Sequence, residues 1–122
     1  MSGLLPAWAD LQRLLVVRLD NLGDVLLQTP AIHALRRALP AAQISLLTSP
    51  VGAQVGHLNR DIDDVIVYQA PQSDPWGKLP QNPARELAMI AQLAERRFDA
   101  AIIFTSFRQS ALPAAYMCYL AG

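Results

Sequence analysis

The sequence predicts an α/β fold, a Rossmann-like parallel sheet with helices on both faces. Three observations support this prediction. Short apolar runs recur about every 25 residues along the chain of 122 residues, with segments of helical periodicity between them. Hydrophobic residues make up 52% and charged residues 16% of the sequence, as expected for strands buried on both faces. Strands that alternate with helices form parallel sheets with right-handed crossovers.

The first predicted unit joins a strand to a helix through a short polar turn. The strand, residues 14–19, is a continuous apolar run, and the helix, residues 24–39, has an apolar stripe. Pro30 lies inside that helix, where it removes a backbone hydrogen bond and predicts a kink. This unit therefore starts the sheet and places a turn at the carboxyl end of its first strand.

Three more units follow in order. The predicted strands are residues 43–48, 65–68 and 98–104, and the predicted helices are residues 49–59, 84–97 and 110–120. Ser49 and Pro50 suit the start of a helix, and Gly122 suits the end of the last one. The proline-rich segment 69–83 predicts a long loop. A strand order of 3-2-1-4 would make the first and fourth strands neighbours at the point where the winding reverses.

Composition narrows the possible functions. Ten basic and ten acidic residues give a net charge of +0, so nucleic-acid binding has no support. Cys118 is the only cysteine, which excludes an intrachain disulfide and a zinc cluster. The start lacks a signal-peptide pattern, and the apolar C-terminal stretch, about 12 residues, is too short to cross a bilayer. We expect a leader at residues 1–13 and one partial domain at residues 14–122 of a cytoplasmic protein.

Polar residues follow the first and fourth strands, where ligands of open α/β sheets bind. One side of the predicted crevice has Asp20, Asn21, Gly23 and Asp24, and the other has Thr105, Ser106, Gln109 and Ser110. The first turn lacks the glycine patterns of phosphate-binding loops, and its two carboxylates disfavour an anion. A neutral, hydroxyl-rich ligand fits better. The structural alternative, which spacing alone favours, makes Asp24 and Ser110 helix caps and Asp20 or Asn21 a turn former.

Four segments together resemble family 9 glycosyltransferases, the heptosyltransferase family of lipopolysaccharide core assembly. They are RLDNLGDVLLQTPAIHALRRALP, LLTSPVGA, VIVYQAP and FDAAIIFTSFRQSALPAAYMCYLAG. The resemblance implies the N-terminal, acceptor-side half of a GT-B architecture. It also implies an inverting transfer of a heptose or related sugar to a lipopolysaccharide-type or other glycan acceptor. Asp24 would be the general base, and Gly23 would let the backbone approach the acceptor.

The resemblance further implies a second, C-terminal domain that binds the nucleotide-sugar, typically ADP-heptose, with no metal or other cofactor. Without that donor domain the chain would be inactive. Gln109 precedes Ser110 where heptosyltransferases commonly have a basic residue, so the resemblance does not specify the identity of the acceptor. The expected partners are a glycan or glycolipid acceptor, the donor domain, the inner membrane by peripheral contact, and a second copy at the sheet edge. The alternative is a non-catalytic Rossmann-like or flavodoxin-like binding or assembly module.

Overall fold

The fold is a four-stranded parallel sheet, seen in a computed structural model that describes residues 8, 10–19, 22–69, 82–105 and 110–122. Its strands are β1 (Arg13–Arg18), β2 (Gln43–Thr48), β3 (Asp64–Val67) and β4 (Ala100–Ile103). Their order is β3-β2-β1-β4, the order for which the first and fourth strands were expected to be neighbours. β1 lies between β2 and β4, where the winding reverses. β4 lies at one edge of this sheet, and pairing of two copies along it stays a prediction.

Five helices cover the sheet within the described part of the chain. They are α1 (Leu22–Leu27), α2 (Thr29–Ala38), α3 (Gly52–Gly56), α4 (Pro83–Glu95) and α5 (Leu112–Ala121). Among the described residues, none of the helices has the length and hydrophobicity needed to span a bilayer. The predicted strand β2 has the observed bounds, whereas the other element ends differ from prediction by a few residues.

The two faces of the sheet have separate cores because side chains alternate along each strand. Leu14 and Val16 of β1 pack with Val25 of α1 and Ile32 of α2. Leu15, Val17 and the remaining members of the opposite core pack with α4 and α5: Leu19, Leu47, Ile66, Tyr68, Leu93, Ala114 and Met117. Helices therefore lie on both faces, which confirms the predicted fold class.

The single kinked helix predicted over residues 24–39 is two helices. α1 ends at Leu27 and α2 begins at Thr29, so the break lies at Gln28. Pro30 then falls in the first turn of α2, where a missing N–H has no intrahelical acceptor to lose. The Thr29 hydroxyl donates a hydrogen bond to the Leu26 carbonyl. The proline therefore separates two helices instead of bending one.

The turn between β2 and α3 holds α3 against α1. Ser49 Oγ accepts a hydrogen bond from Gly52 N at 3.0 Å, so Ser49 closes the turn although α3 itself begins only at Gly52. A Cβ at Gly52 would overlap Thr48 Oγ1 and lie 2.7 Å from Val25 Cγ2. Glycine is needed here because two helices and a strand end meet.

Candidate functional site

The carboxyl end of β1 holds an arginine–aspartate pair. Arg18 is the last residue of β1, and its side chain follows Leu14 and Val16 onto the face covered by α1. Arg18 Nη2 lies 3.4 Å from Asp24 Oδ1, and the two side chains are 5% and 34% exposed. The site thus places a buried cation beside a carboxylate that a ligand can reach.

Buried polar side chains extend this site onto β2. Thr48 is the parallel-sheet partner of Arg18, and it is completely buried. Ser49, the next residue, is also buried. Sequence reasoning missed Arg18 and Thr48, although a polar residue that ends an apolar strand, as in LLVVR and SLLT, is the signal that could have identified them.

Asp24 is not the helix N-cap that spacing alone favours. α1 begins at Leu22, so Asp24 lies in its first turn, two residues inside the helix. The ion pair with Arg18 gives the carboxylate a partner from the sheet. The interpretation of Asp24 as the N-cap of this helix is therefore wrong.

Nothing in the described part of the chain requires glycine at position 23. A Cβ built at Gly23 would have no atom within 4 Å, and the residue lacks a positive φ. Glycine inside a helix costs roughly 0.5–1 kcal/mol relative to alanine. The residue therefore leaves open surface immediately beside Asp24 at the expense of helix stability.

The other predicted side of the crevice is described only in part. Phe104 N donates to Val17 O at 2.9 Å, so the exposed Thr105 that follows lies at the same edge of the sheet as Arg18. Ser110 Oγ accepts from Leu112 N at 3.1 Å, but the N-cap of α5 is Ala111, so Ser110 closes the turn before the helix and is not its N-cap. The remaining predicted site residues, Asp20, Asn21, Ser106 and Gln109, lie outside the described residues.

A second polar cluster, which sequence reasoning also missed, lies at the carboxyl end of β3. The Tyr68 hydroxyl donates to Glu86, and Arg85 Nη2 lies 2.7 Å from Glu86 Oε1. The Arg85 guanidinium also lies 5.5 Å from the centroid of the Tyr68 ring. Burial, and then the Glu86 carboxylate, raise the pKa of the Tyr68 hydroxyl. Tyr68 therefore stays protonated and serves to fix the start of α4.

Cys118 and the acidic side chains are further reactive groups among the described residues. A groove of about 560 Å³ beside β4 is lined by Phe98, Ala101 and Cys118, among others, away from Asp24. Burial raises the pKa of the Cys118 thiol, which disfavours the nucleophilic thiolate. Among the residues that the structure describes, no three histidine, cysteine or acidic side chains are grouped to hold a metal ion.

Comparisons with known proteins support the fold. No protein-family model matches the sequence, and no curated protein is similar to it. The structure is similar to the crystal structure of the glycosyl transferase family 9 from Veillonella parvula DSM 2008, with a TM-score of 0.61 and 24% identity. The match covers 91% of this chain and 30% of that chain. The chain thus shares its fold with a part of a protein about three times as long.

Proposed function

We propose that this chain is the acceptor-side domain of an inverting glycosyltransferase of family 9. The observation that carries the proposal is the Asp24 carboxylate, 34% exposed, at the carboxyl end of the central strand. The fold shared with a solved family 9 protein supports it. A carboxylate at this edge of an open α/β sheet can reach a ligand in the crevice.

In the proposed reaction Asp24 acts as general base. It accepts the proton of an acceptor hydroxyl while that oxygen attacks the anomeric carbon of the nucleotide-sugar. The bond from the anomeric carbon to the phosphate oxygen breaks in the same displacement, and the nucleoside diphosphate leaves with the electron pair. A single displacement inverts the anomeric centre. Gly23 gives the acceptor room beside the carboxylate.

The proposal assigns the nucleotide-sugar to a second domain in a longer protein. The turns described here lack a glycine-rich phosphate loop, and the matched protein is much longer than this chain. ADP-heptose is the first donor to test, with a lipopolysaccharide-type glycan or glycolipid as acceptor. We expect the transfer reaction to take place in the cytoplasm, next to the inner membrane, and we expect this chain alone to be inactive.

The test replaces Asp24 by asparagine in the full-length protein. Transfer from a panel of nucleotide-sugars is followed by mass spectrometry of the acceptor. We expect Asp24→Asn to lower kcat by about 10²–10⁴-fold, the usual size of a general-base contribution. Asp10→Asn, which also removes an exposed carboxylate, is the matched control and should transfer normally. Transfer by Asp24→Asn at the control rate would refute the assignment.

A further inference from the structure

Arg18 and Asp24 form a pair with unequal access to solvent. The Arg18 side chain is 5% exposed and the Asp24 side chain is 34% exposed, with Nη2 and Oδ1 3.4 Å apart. A guanidinium keeps its charge in proteins and has no acceptor capacity. A ligand in the crevice can therefore contact the carboxylate, while the permanent positive charge stays behind it.

The backbone of Arg18 belongs to the sheet, whereas that of Asp24 belongs to a short helix. Arg18 ends the central strand and pairs in register with Thr48 of β2. On the other side, Phe104 N is bonded to the carbonyl of the preceding Val17 at 2.9 Å. Asp24 lies on α1, a helix of six residues. The strand that carries Arg18 is thus held by neighbouring strands on both sides, which makes the arginine the reference point of the pair.

We propose that Arg18 is a positioning residue for Asp24, and that its buried guanidinium holds the carboxylate toward the acceptor hydroxyl. That the ligand group is an acceptor hydroxyl depends on the proposed function, whereas the positioning of Asp24 by Arg18 does not. A pair that only balances charge would tolerate lysine at this position. Positioning needs the planar guanidinium, which fixes a carboxylate by direction as well as by charge.

The first test measures the Asp24 side chain directly in this chain. Three-bond NMR couplings report χ1 of Asp24 in the wild type, in Arg18→Lys and in Arg18→Met. We expect one rotamer in the wild type and rotamer averaging in both variants. Arg13→Met is the matched control, because Arg13 is an exposed arginine at the opposite end of the same strand. It should leave the Asp24 couplings unchanged.

A single Asp24 rotamer in folded Arg18→Lys would overturn the proposal. The amide spectrum of each variant shows whether it folds. If Arg18→Met is unfolded, Arg18→Lys alone decides, since lysine keeps a positive charge at this position but lacks the planar guanidinium. If both are unfolded, Arg18 serves the fold and the positioning role is rejected.

The second test is kinetic and uses the full-length protein. We expect Arg18→Lys to lower kcat by about 10-fold or more, since small displacements of a reacting group are costly, while KM for the acceptor stays within about twofold. An unchanged kcat would reject the positioning role, even if Asp24→Asn is inactive. Absence of transfer by the wild type with every donor would instead reject the proposed function. The rotamer result would then still decide the positioning role.

Discussion

The amino and carboxyl ends of the sheet use aspartate side chains differently. Before β4, Asp99 Oδ2 accepts hydrogen bonds from Gln12 N and Arg13 N at 2.9 Å each. Before β3, Asp63 Oδ2 accepts from Ile44 N at 2.8 Å. Both carboxylates thus join the start of one strand to the start of its neighbour. At the carboxyl end, Asp24 instead pairs with a buried arginine and keeps a third of its side chain exposed.

The arginines at the two ends differ in the same way. Arg36 Nη1 donates to the Ala42 carbonyl at 2.7 Å, and its Nη2 donates to the Asp61 carbonyl at 2.9 Å and to Asp63 Oδ2 at 2.6 Å. These bonds join the turn after α2 to the turn before β3. Arg18 lies beside an aspartate that a ligand can reach. An arginine–aspartate pair therefore supports folding at the amino end of the sheet and, in our proposal, another such pair supports catalysis at the carboxyl end.

Arg36→Met should have the largest effect on stability, because it leaves the carbonyls of two turns and the Asp63 carboxylate without this donor. We expect the free energy of unfolding to fall by about 3 kcal/mol, measured by urea denaturation. Arg37→Met, at the exposed neighbouring position, is the control and should change it by less than about 0.5 kcal/mol. Equal effects of the two variants would contradict a folding role specific to Arg36.

Alanine at the two glycines of the carboxyl end should separate packing from ligand access. Gly52→Ala should lower the free energy of unfolding by about 2 kcal/mol, because the added methyl group overpacks α1 against α3. Gly23→Ala has open space around it and should stabilise α1 by about 0.5–1 kcal/mol. In the full-length protein we nevertheless expect Gly23→Ala to weaken acceptor binding. Stabilisation with unchanged acceptor KM would mean that the open surface beside Asp24 has no role in binding.

Sequence patterns predicted the layout of the sheet and only part of the site. The apolar runs and their helical spacers predicted parallel strands with right-handed crossovers. These rules allow more than one strand order, and the order β3-β2-β1-β4 comes from the structure. Arg18 was missed because its burial depends on α1 folding over the strand end. Arg36 was missed for a similar reason, since its partner Asp61 lies 25 residues away in sequence.

The two interpretations of Asp24, as a helix cap and as our proposed base, show the limit of spacing as evidence. Both interpretations need an aspartate at a strand–helix turn. The start of α1 at Leu22 removes Asp24 from the N-cap position. The contact with Arg18 depends on the tertiary structure, which no local pattern encodes. The break at Gln28 is likewise a tertiary outcome, because Pro30 permits either a kinked helix or two helices.

Acidification should produce the smallest effect, at the amino end of the sheet. Backbone hydrogen bonds from Arg13 and then Gln12 lower the pKa of Asp99 below its usual range. Since the folded pKa is the lower one, this stabilisation is present above the unfolded value of about 4 and is lost as the pH falls through the folded value. Asp99→Asn should therefore lose less stability than the wild type between about pH 5 and pH 2.5.

Thermal unfolding at a series of pH values measures this difference, with Asp10→Asn as the control. Asp10 is exposed, and its removal should leave the acid dependence as in the wild type. A parallel loss of stability in Asp99→Asn and the wild type would mean that the carboxylate charge does not strengthen the two hydrogen bonds at the start of β1. The comparison between the sheet ends would then depend on Arg36 and Asp63 alone, because the charge of Asp99 would add nothing to its hydrogen bonds.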